Sequence, residues 1–349
     1  MSGDVRAWDP SPGRVTISDV ARVAGVSVAT VSKALNSRYG VSAATSRRIL
    51  AVAAELGYES SLVARSLRSS RTGVIGILVA EFEPFSTELL KGVSAAAAGT
   101  GYELLAYAGS AAGGSVGWER RSLSRLAGTL VDGAVIVTPT VLSPATTIPV
   151  VAIDPHTGPA GPATVDADNA GGARAATEHL LGLGHRRIAH LRGRTDLESA
   201  RLREAGYREA LAAAGVGFDP RLVRDGGYRA ATTTEAARDL LGSVDRPTAV
   251  FAANDLSAIR AVEVAHDLGL RVPEDLSVVG FDDVPEAANC APPLTTIAQP
   301  LQEMGALAVR MLLDLLDGWE AGQQVRSPGR HVRLPARLVV RASSGPAPG

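Results

Sequence analysis

"VTISDVARVAGVSVATVSKALN" (residues 15–36) sets small apolar residues at helical spacing behind hydroxyls that can cap. Ile17, Val20, Ala21 and Ala24 fall on one face of a 3.6-residue repeat. Thr16 stands just before them and Asp19 three residues on, the arrangement of a capping box. Gly25 then stops the helix. Ser27 can cap a second helix, in which Val31 and Leu35 face inward at i, i+4. Next, "VSAATSRRILAVAAELGY" (41–58) predicts a third helix, capped by Ser42, with Ile49, Val52, Ala53 and Leu56 as its apolar stripe and Gly57 as its stop. Two short helices joined by a glycine turn and backed by a third make a helix-turn-helix unit. Its second helix exposes Val28, Ala29, Ser32, Lys33 and Asn36. In this motif that helix enters the DNA major groove. A plain three-helix bundle has the same spacing, so spacing alone leaves both readings open.

Charge leans the same way. Residues 1–72 hold ten Arg and Lys against five Asp and Glu, while the remainder holds 25 against 31. A basic head on an acidic body fits a polyanionic partner at one end, or simply a solvated basic face. The single cysteine, Cys290, excludes an internal disulfide framework and fits a reducing cytosol. "MSGDVRAWDPSPGR" (1–14) lacks the apolar stretch of a signal peptide and reads as a disordered tail. The longest apolar runs, such as "VIGILVA" (74–80), fall far short of a membrane span. A cytoplasmic protein with no membrane partner is expected.

With 349 residues the chain exceeds one ordinary domain. From residue 73 apolar runs alternate with helical patterns. Candidate strands are "VIGILVA" (74–80), "ELLAYAG" (103–109), "GAVIVT" (133–138), "PVVAID" (149–154), "RIAHLRG" (187–193), "AVFAAND" (249–255) and "LSVVGFDD" (276–283). This predicts α/β architecture with parallel sheets. Ligands of open α/β sheets bind beyond the carboxyl ends of strands. Several candidate strands end there in polar residues: Asp154, Asn254–Asp255 and Asp282–Asp283. Carboxylates and amides can grip paired hydroxyls, although any one of these residues could equally be a helix cap or turn residue.

Enzyme chemistry finds little support. The six histidines show neither HExxH nor cysteine-paired spacing, so no metal site is expected. No P-loop or GxGxxG follows a strand, and the glycines of "GSAAGGSVG" (109–117) read as a loop. "GVSVA" and "GVSAA" echo a nucleophile elbow only loosely. Neither catalysis nor a cofactor is expected.

The stretches already quoted, continued by "ARSLRSSRTGVIGILV", "VDGAVIV", "HLLGLGHRRIAHLRG", "ANDLSAIRAVEVAHDLGLRVPEDLSVVGFDD", "PPLTTIAQP" and "LPARLVVRASS", resemble the LacI/GalR family of transcriptional regulators over nearly the whole chain. The resemblance implies a helix-turn-helix head over 15–59, a hinge over 60–72, and a periplasmic-binding-protein-like effector and dimerisation domain over 73–345. That domain would have two doubly wound lobes: about 73–164 with 298–329, and about 165–297 with 330–345. "PPLTTIAQP" and a tail strand near "HVRLPARLVV" would be crossings between them.

The resemblance assigns Val28, Ala29 and Lys33 to base-reading positions, and Thr30, Ser32, Asn36 and Tyr58 to backbone or positioning contacts. Thr16 and Ser27, at the two helix starts, join that set. Apolar Val28 and Ala29 suit thymine methyls and Lys33 suits guanine acceptors. Arg47 and Arg48 can be phosphate contacts or merely solvated, and the solvated reading is preferred. In the hinge, Leu67 matches the family's minor-groove wedge, flanked by Arg65 and Arg68. "YESS" (58–61) lacks the family's Pro-Asn before the hinge, which weakens the stop there. Effector positions carried over are Phe85, Asp154, Arg203, Tyr228, Asn254 and Asp282, with Glu83 at the mouth where the family often has an amide. The function implied is a repressor: a homodimer on a pseudo-palindromic duplex operator, controlled by a sugar-like effector in the cleft. No leucine-heptad tail follows, so dimers rather than tetramers are expected. The alternative is a solute-binding module of the same fold without gene control.

Overall fold

A computed structural model describes residues 15–35, 40–58, 71–109, 117–140, 147–159, 161–320 and 330–349. The chain divides into two compact units, Met1–Ser70 and Arg71–Gly349.

The first unit carries α1 (Ile17–Ala24), α2 (Val28–Leu35) and α3 (Ala43–Glu55). The capping box forms: the Asp19 amide donates to Thr16 Oγ1 at 3.4 Å, and the Thr16 amide donates to Asp19 Oδ2 at 3.0 Å. The Thr16 hydroxyl, donating to Asp19 Oδ2 at 2.7 Å, together with Arg22 and the Thr16 amide, holds the Asp19 carboxyl down at about 2. Gly25 adopts φ 64, the left-handed value a helix stop requires. Ser27 and Ser42 cap α2 and α3 by accepting the Thr30 and Thr45 amides at 3.1 and 3.2 Å. Val20, Val31 and Ile49 are fully buried where the three helices meet. Burial of each such side chain contributes about 2 kcal/mol, which is what a unit this small needs to hold three helices together.

The second unit contains two six-stranded sheets. The first is built from β1 (Val74–Val79), β2 (Glu103–Ala108), β3 (Gly133–Val137), β4 (Val150–Ile153), β5 (Ala163–Ala167) and β11 (His331–Leu334), in the order β11-β5-β4-β3-β1-β2, all parallel. Helices α4 (Pro84–Ala97) and α11 (Leu301–Glu320) bury Leu89, Val93, Met304 and Leu312 against it. The second comprises β6 (Ile188–Arg192), β7 (Val223–Asp225), β8 (Ala249–Ala252), β9 (Ser277–Asp282), β10 (Thr295–Ala298) and β12 (Arg337–Val339), in the order β12-β10-β9-β8-β6-β7. Only β12 runs antiparallel to its neighbour. Alternate residues of β8 face opposite cores. Ala249 and Phe251 meet α6 (Asn169–Gly182) and α7 (Glu198–Ala213), while Val250 and Ala252 meet α8 (Ala230–Leu241) and α9 (Asp255–Asp267). The remaining helices are α5 (Trp118–Leu126) and α10 (Pro285–Asn289).

Three sequence expectations need correction. The lobe boundary at 164/165 cuts through β5, which lies whole in the first sheet. The expected single tail strand is two strands in different sheets: β11 pairs with β5, with Arg333 gripping Asp166 at 3.0 and 3.1 Å, and β12 pairs with β10. Residues 331–334 therefore belong to the first lobe, not the second. "PPLTTIAQP" is not a crossing throughout, because Thr295–Ala298 completes the second sheet and the chain crosses only afterwards. The crossings fall at Asp168, Gln299–Pro300 and Pro335–Ala336, in the gaps between strands and helices of opposite lobes.

Candidate functional site

Two surfaces carry the chemistry, one in each unit. On the first, α2 turns Val31 and Ala34 into the core. It leaves Val28 (43% exposed), Ala29 and Lys33 outward in one row. Thr30 and Ser32 are half-buried, and the Thr30 hydroxyl lies 2.8 Å from that of Ser27, so Thr30 serves the cap. Tyr58 is half-buried against the head core, its amide donating to the Ala53 carbonyl at 2.8 Å. Thr16 is an exposed cap residue. Two methyl-bearing residues beside an ammonium form a surface that can read thymine methyls and guanine acceptors. Asn36, Arg65, Leu67 and Arg68 lie outside the described residues.

The second surface is the cleft between the sheets' carboxyl ends. Arg203, on α7, is 3% exposed and sits at its centre. Its guanidinium lies 3.8 Å over the Phe281 ring. Nε donates to Asn169 Oδ1 at 2.8 Å, and Nη1 donates to the Ala253 carbonyl and reaches Asp282 Oδ1 at 3.5 Å. Gln299 Nε2 donates to the same Asp282 oxygen at 2.7 Å. From the first lobe, Asp154 accepts from Ser199 and Asn169, and its charge is offset by Arg203. Burial pushes the Asp154 carboxyl up, and pushes Asp282 up to about 7 despite Arg203 and Gln299; Asp154 and Glu83 raise Asp282 further. Asp255, fully buried behind Asp282, is raised strongly by burial; it accepts Thr296 Oγ1 at 2.5 Å and the Val284 amide at 2.9 Å.

The remaining expected residues divide. Tyr228 belongs to the cluster: burial raises its hydroxyl to about 12, and it senses Arg203, Asp282 and Asp154. Asn254 Oδ1 caps α9 by accepting the Ser257 amide at 3.0 Å, so its carbonyl is already occupied. Glu83 is exposed at the start of α4, where its amide donates to Ser86 Oγ at 2.9 Å. Although the residue as a whole is exposed, partial desolvation of its carboxyl and the nearby Glu81 push that group up, while Arg229 pulls it down. Phe85, in the first turn of α4, packs partly into the first lobe's core. Sequence reasoning missed Asn169, Ser199 and Gln299. All three stand within two residues of a lobe crossing or helix start, a signal visible only once both sheets are assigned.

Among the described residues, the non-glycine positions with positive φ are Thr138, Asp154, Tyr228, Asp282 and Asp283. Three of these five are cleft residues. Strained backbone collects where side chains must be aimed rather than merely packed. The cleft therefore presents one buried guanidinium, several carboxylates and amides, and a tyrosine ring. Such a set suits a polyhydroxyl ligand, whose paired hydroxyls both donate and accept. Among the described residues no His, Cys, Asp and Glu group could hold a metal, and no helix is long and apolar enough to cross a membrane.

Residues 16–61 match the family model described as bacterial regulatory proteins, lacI family, and residues 177–344 match a periplasmic binding protein-like domain. A relative from Photobacterium profundum, named HTH-type transcriptional repressor PurR, is 36% identical over 309 residues, which is 86% of this chain and 91% of the relative. A solved complex of the transcriptional regulator CelR with cellobiose is 34% identical, with TM-score 0.69, covering 95% of this chain and 100% of that one. The lac repressor dimer, solved with operator and the anti-inducer ONPF, is 30% identical with TM-score 0.79 at the same coverage.

Proposed function

Because the chain belongs to the LacI family of bacterial regulatory proteins, we propose that it is a cytoplasmic repressor whose hold on a duplex operator is controlled by a small polyhydroxyl effector. The observation that carries this reading is the outward row of α2, with Val28, Ala29 and Lys33 exposed on a helix whose other face is fully committed to the core. The Arg203 cluster supports the effector half, since its donors and acceptors converge on one cleft from two lobes. Cellobiose in the CelR complex makes a saccharide the first class to test. The lac repressor dimer on its operator supports a homodimer on a pseudo-palindromic site. Effector binding would alter lobe closure and thereby the hinge over 60–72, coupling two sites through one two-state element. Leu67, Arg65, Arg68 and Asn36 would complete the grip on DNA.

The test selects bound duplexes from a random library. The selected site is then titrated at two salt concentrations, with and without cellobiose, ribose and a panel of other sugars. An inverted-repeat site with steeply salt-dependent affinity, weakened by one sugar, is the expected result. Lys33→Ala should relax the preference for guanine at one position of each half-site. Leu67→Ala should weaken operator binding and spare sugar binding. A chain that binds sugar but no duplex would instead be a plain solute-binding module.

A further inference from the structure

The two lobes also touch away from the Arg203 cluster. His156 belongs to the first lobe, two residues past Asp154, and is 6% exposed. Its amide donates to the Pro139 carbonyl of the same lobe at 3.0 Å. Everything else that grips it comes from residues 194–201 of the second lobe. The His156 carbonyl accepts the Glu198 amide at 3.2 Å and Arg201 Nη2 at 3.3 Å. Its Nδ1 lies 3.3 Å from Asp196 Oδ2.

That partner is itself held in place. Arg194 grips both oxygens of Asp196 at 3.1 and 2.7 Å. Arg201 is fixed by Glu198 Oε2 and by the Thr195 carbonyl. The gripped segment runs straight into α7, which carries Ser199 and Arg203 into the cleft.

We propose that His156 is a positioning residue that clamps the lobes together, so that the start of the helix presenting Ser199 and Arg203 is locked to the strand end presenting Asp154. The clamp rests on the reading of this cleft as the effector site, but it operates without any ligand. It is also sensitive to protons. The charged groups acting on the imidazole are Asp196 and Arg194 from the second lobe and buried Glu119 from α5, while Arg201 and the Glu198 amide hold the His156 carbonyl. Burial holds the imidazole below its ordinary range, with Arg194 adding to this, and outweighs the favourable charges of Asp196 and Glu119. An imidazole freed from the clamp returns to the ordinary value, so proton uptake favours the released lobes.

Spin labels on Arg125→Cys, exposed on the first lobe, and Val244→Cys, exposed on the second, read the interlobe distance in a Cys290→Ser background. Labelled chains are diluted into unlabelled ones so that only one protomer of a dimer reports. Wild type at pH 7.5 should give one narrow distribution, and His156→Ala should add a second population. His156→Asn, whose amide nitrogen stands in for Nδ1 and can still donate to Asp196, should restore most of the narrow one. Lowering the pH to 5.5 should populate the second distance in wild type and leave His156→Asn unmoved. If His156→Ala does not fold, Asp196→Asn and the pH step on wild type decide the matter. Distances unchanged in the variants and by pH would overturn the clamp. A failure of the effector reading would instead show as an absence of sugar binding, with the distances behaving as described.

Discussion

Tyr228 lies directly on Gly193. A Cβ built on that glycine would stand 2.1 Å from the ring's Cζ and 2.2 Å from its oxygen. The tyrosine reaches this position with φ 60, and its ring faces the same carboxylates that surround Arg203. A glycine at the end of β6 is thus what admits an aromatic face to the cleft.

Gly193→Ala should therefore act through Tyr228. Overpacking of this kind typically costs about 1–3 kcal/mol. In a Tyr228→Ala background the same change has nothing to strike and should cost less than about 0.5 kcal/mol, the usual range for a substitution away from packed features. Urea unfolding of the four proteins measures the coupling. Equal costs in both backgrounds would show that the ring does not depend on Gly193.

Removing the guanidinium at the cleft centre should be severe and pH-dependent. Arg203→Met leaves buried Asp282 and Asp154 without their main counter-charge, a change that costs about 3–5 kcal/mol when one partner of a buried pair is lost. A carboxyl raised in the native state is harmless only below its unfolded value, costs progressively more as the pH rises from there, and costs fully above its native value. Asp282 already stands near 7 with Arg203 present and will stand higher without it. The deficit should be larger at pH 8 than at pH 5, and Arg203→Met with Asp282→Asn should recover part of it. Unfolding free energies at the two pH values decide this; a pH-independent loss would mean that packing over Phe281, not charge, is what Arg203 supplies.

The strands legible in the sequence are those buried on both faces, such as "VIGIL" and "SVVGF", because parallel strands covered by helices read as continuous apolar runs. Caps at Thr16, Ser27 and Ser42 were legible because hydroxyls before an apolar stripe act locally. Strand β5, "ATVDA", was not. Its Asp166 is neutralised by Arg333, 167 residues away, and nothing near Asp166 announces that partner. The same non-locality hides the sharing of β11 and β12 between sheets, since two residues, Pro335 and Ala336, separate strands that face different lobes. In the cleft, Asp154 and Asp282 are legible as polar strand ends, and Arg203 only through the family resemblance. Asn169, Ser199 and Gln299 entered only through contacts across a crossing.

His190 predicts an acid weakness in the second lobe. The imidazole is fully buried, stacked between Tyr207 and Phe251 with centroids at 5.1 and 4.9 Å. Nδ1 pairs with the Phe251 carbonyl at 3.0 Å, while buried Nε2 has no partner among the described residues. Burial lowers the pKa to about 4. Below pH 6.5 the unfolded chain takes up a proton that the native ring refuses, so stability present above 6.5 drains away as the pH falls towards 4. The loss amounts to about 3 kcal/mol at most. His190→Phe should remove that part of the acid slope between pH 6.5 and 4.5. An unchanged slope would assign the acid loss to other groups.

The head offers the last test, because its cap is local and its neighbours are few. Thr16→Ala deletes the hydroxyl that accepts the Asp19 amide and leaves Asp19 only half of its capping box. Loss of such a cap costs about 1 kcal/mol. The effect should stay within α1 and the residues it buries, Val20, Ala21 and Ala24, since Met1–Ser70 forms a compact unit of its own. Amide exchange in α1 should accelerate roughly fivefold, the factor that 1 kcal/mol of local opening implies, while β8 and β9 in the second unit exchange at wild-type rates. Faster exchange throughout the second unit would show that the stability of the two units is coupled.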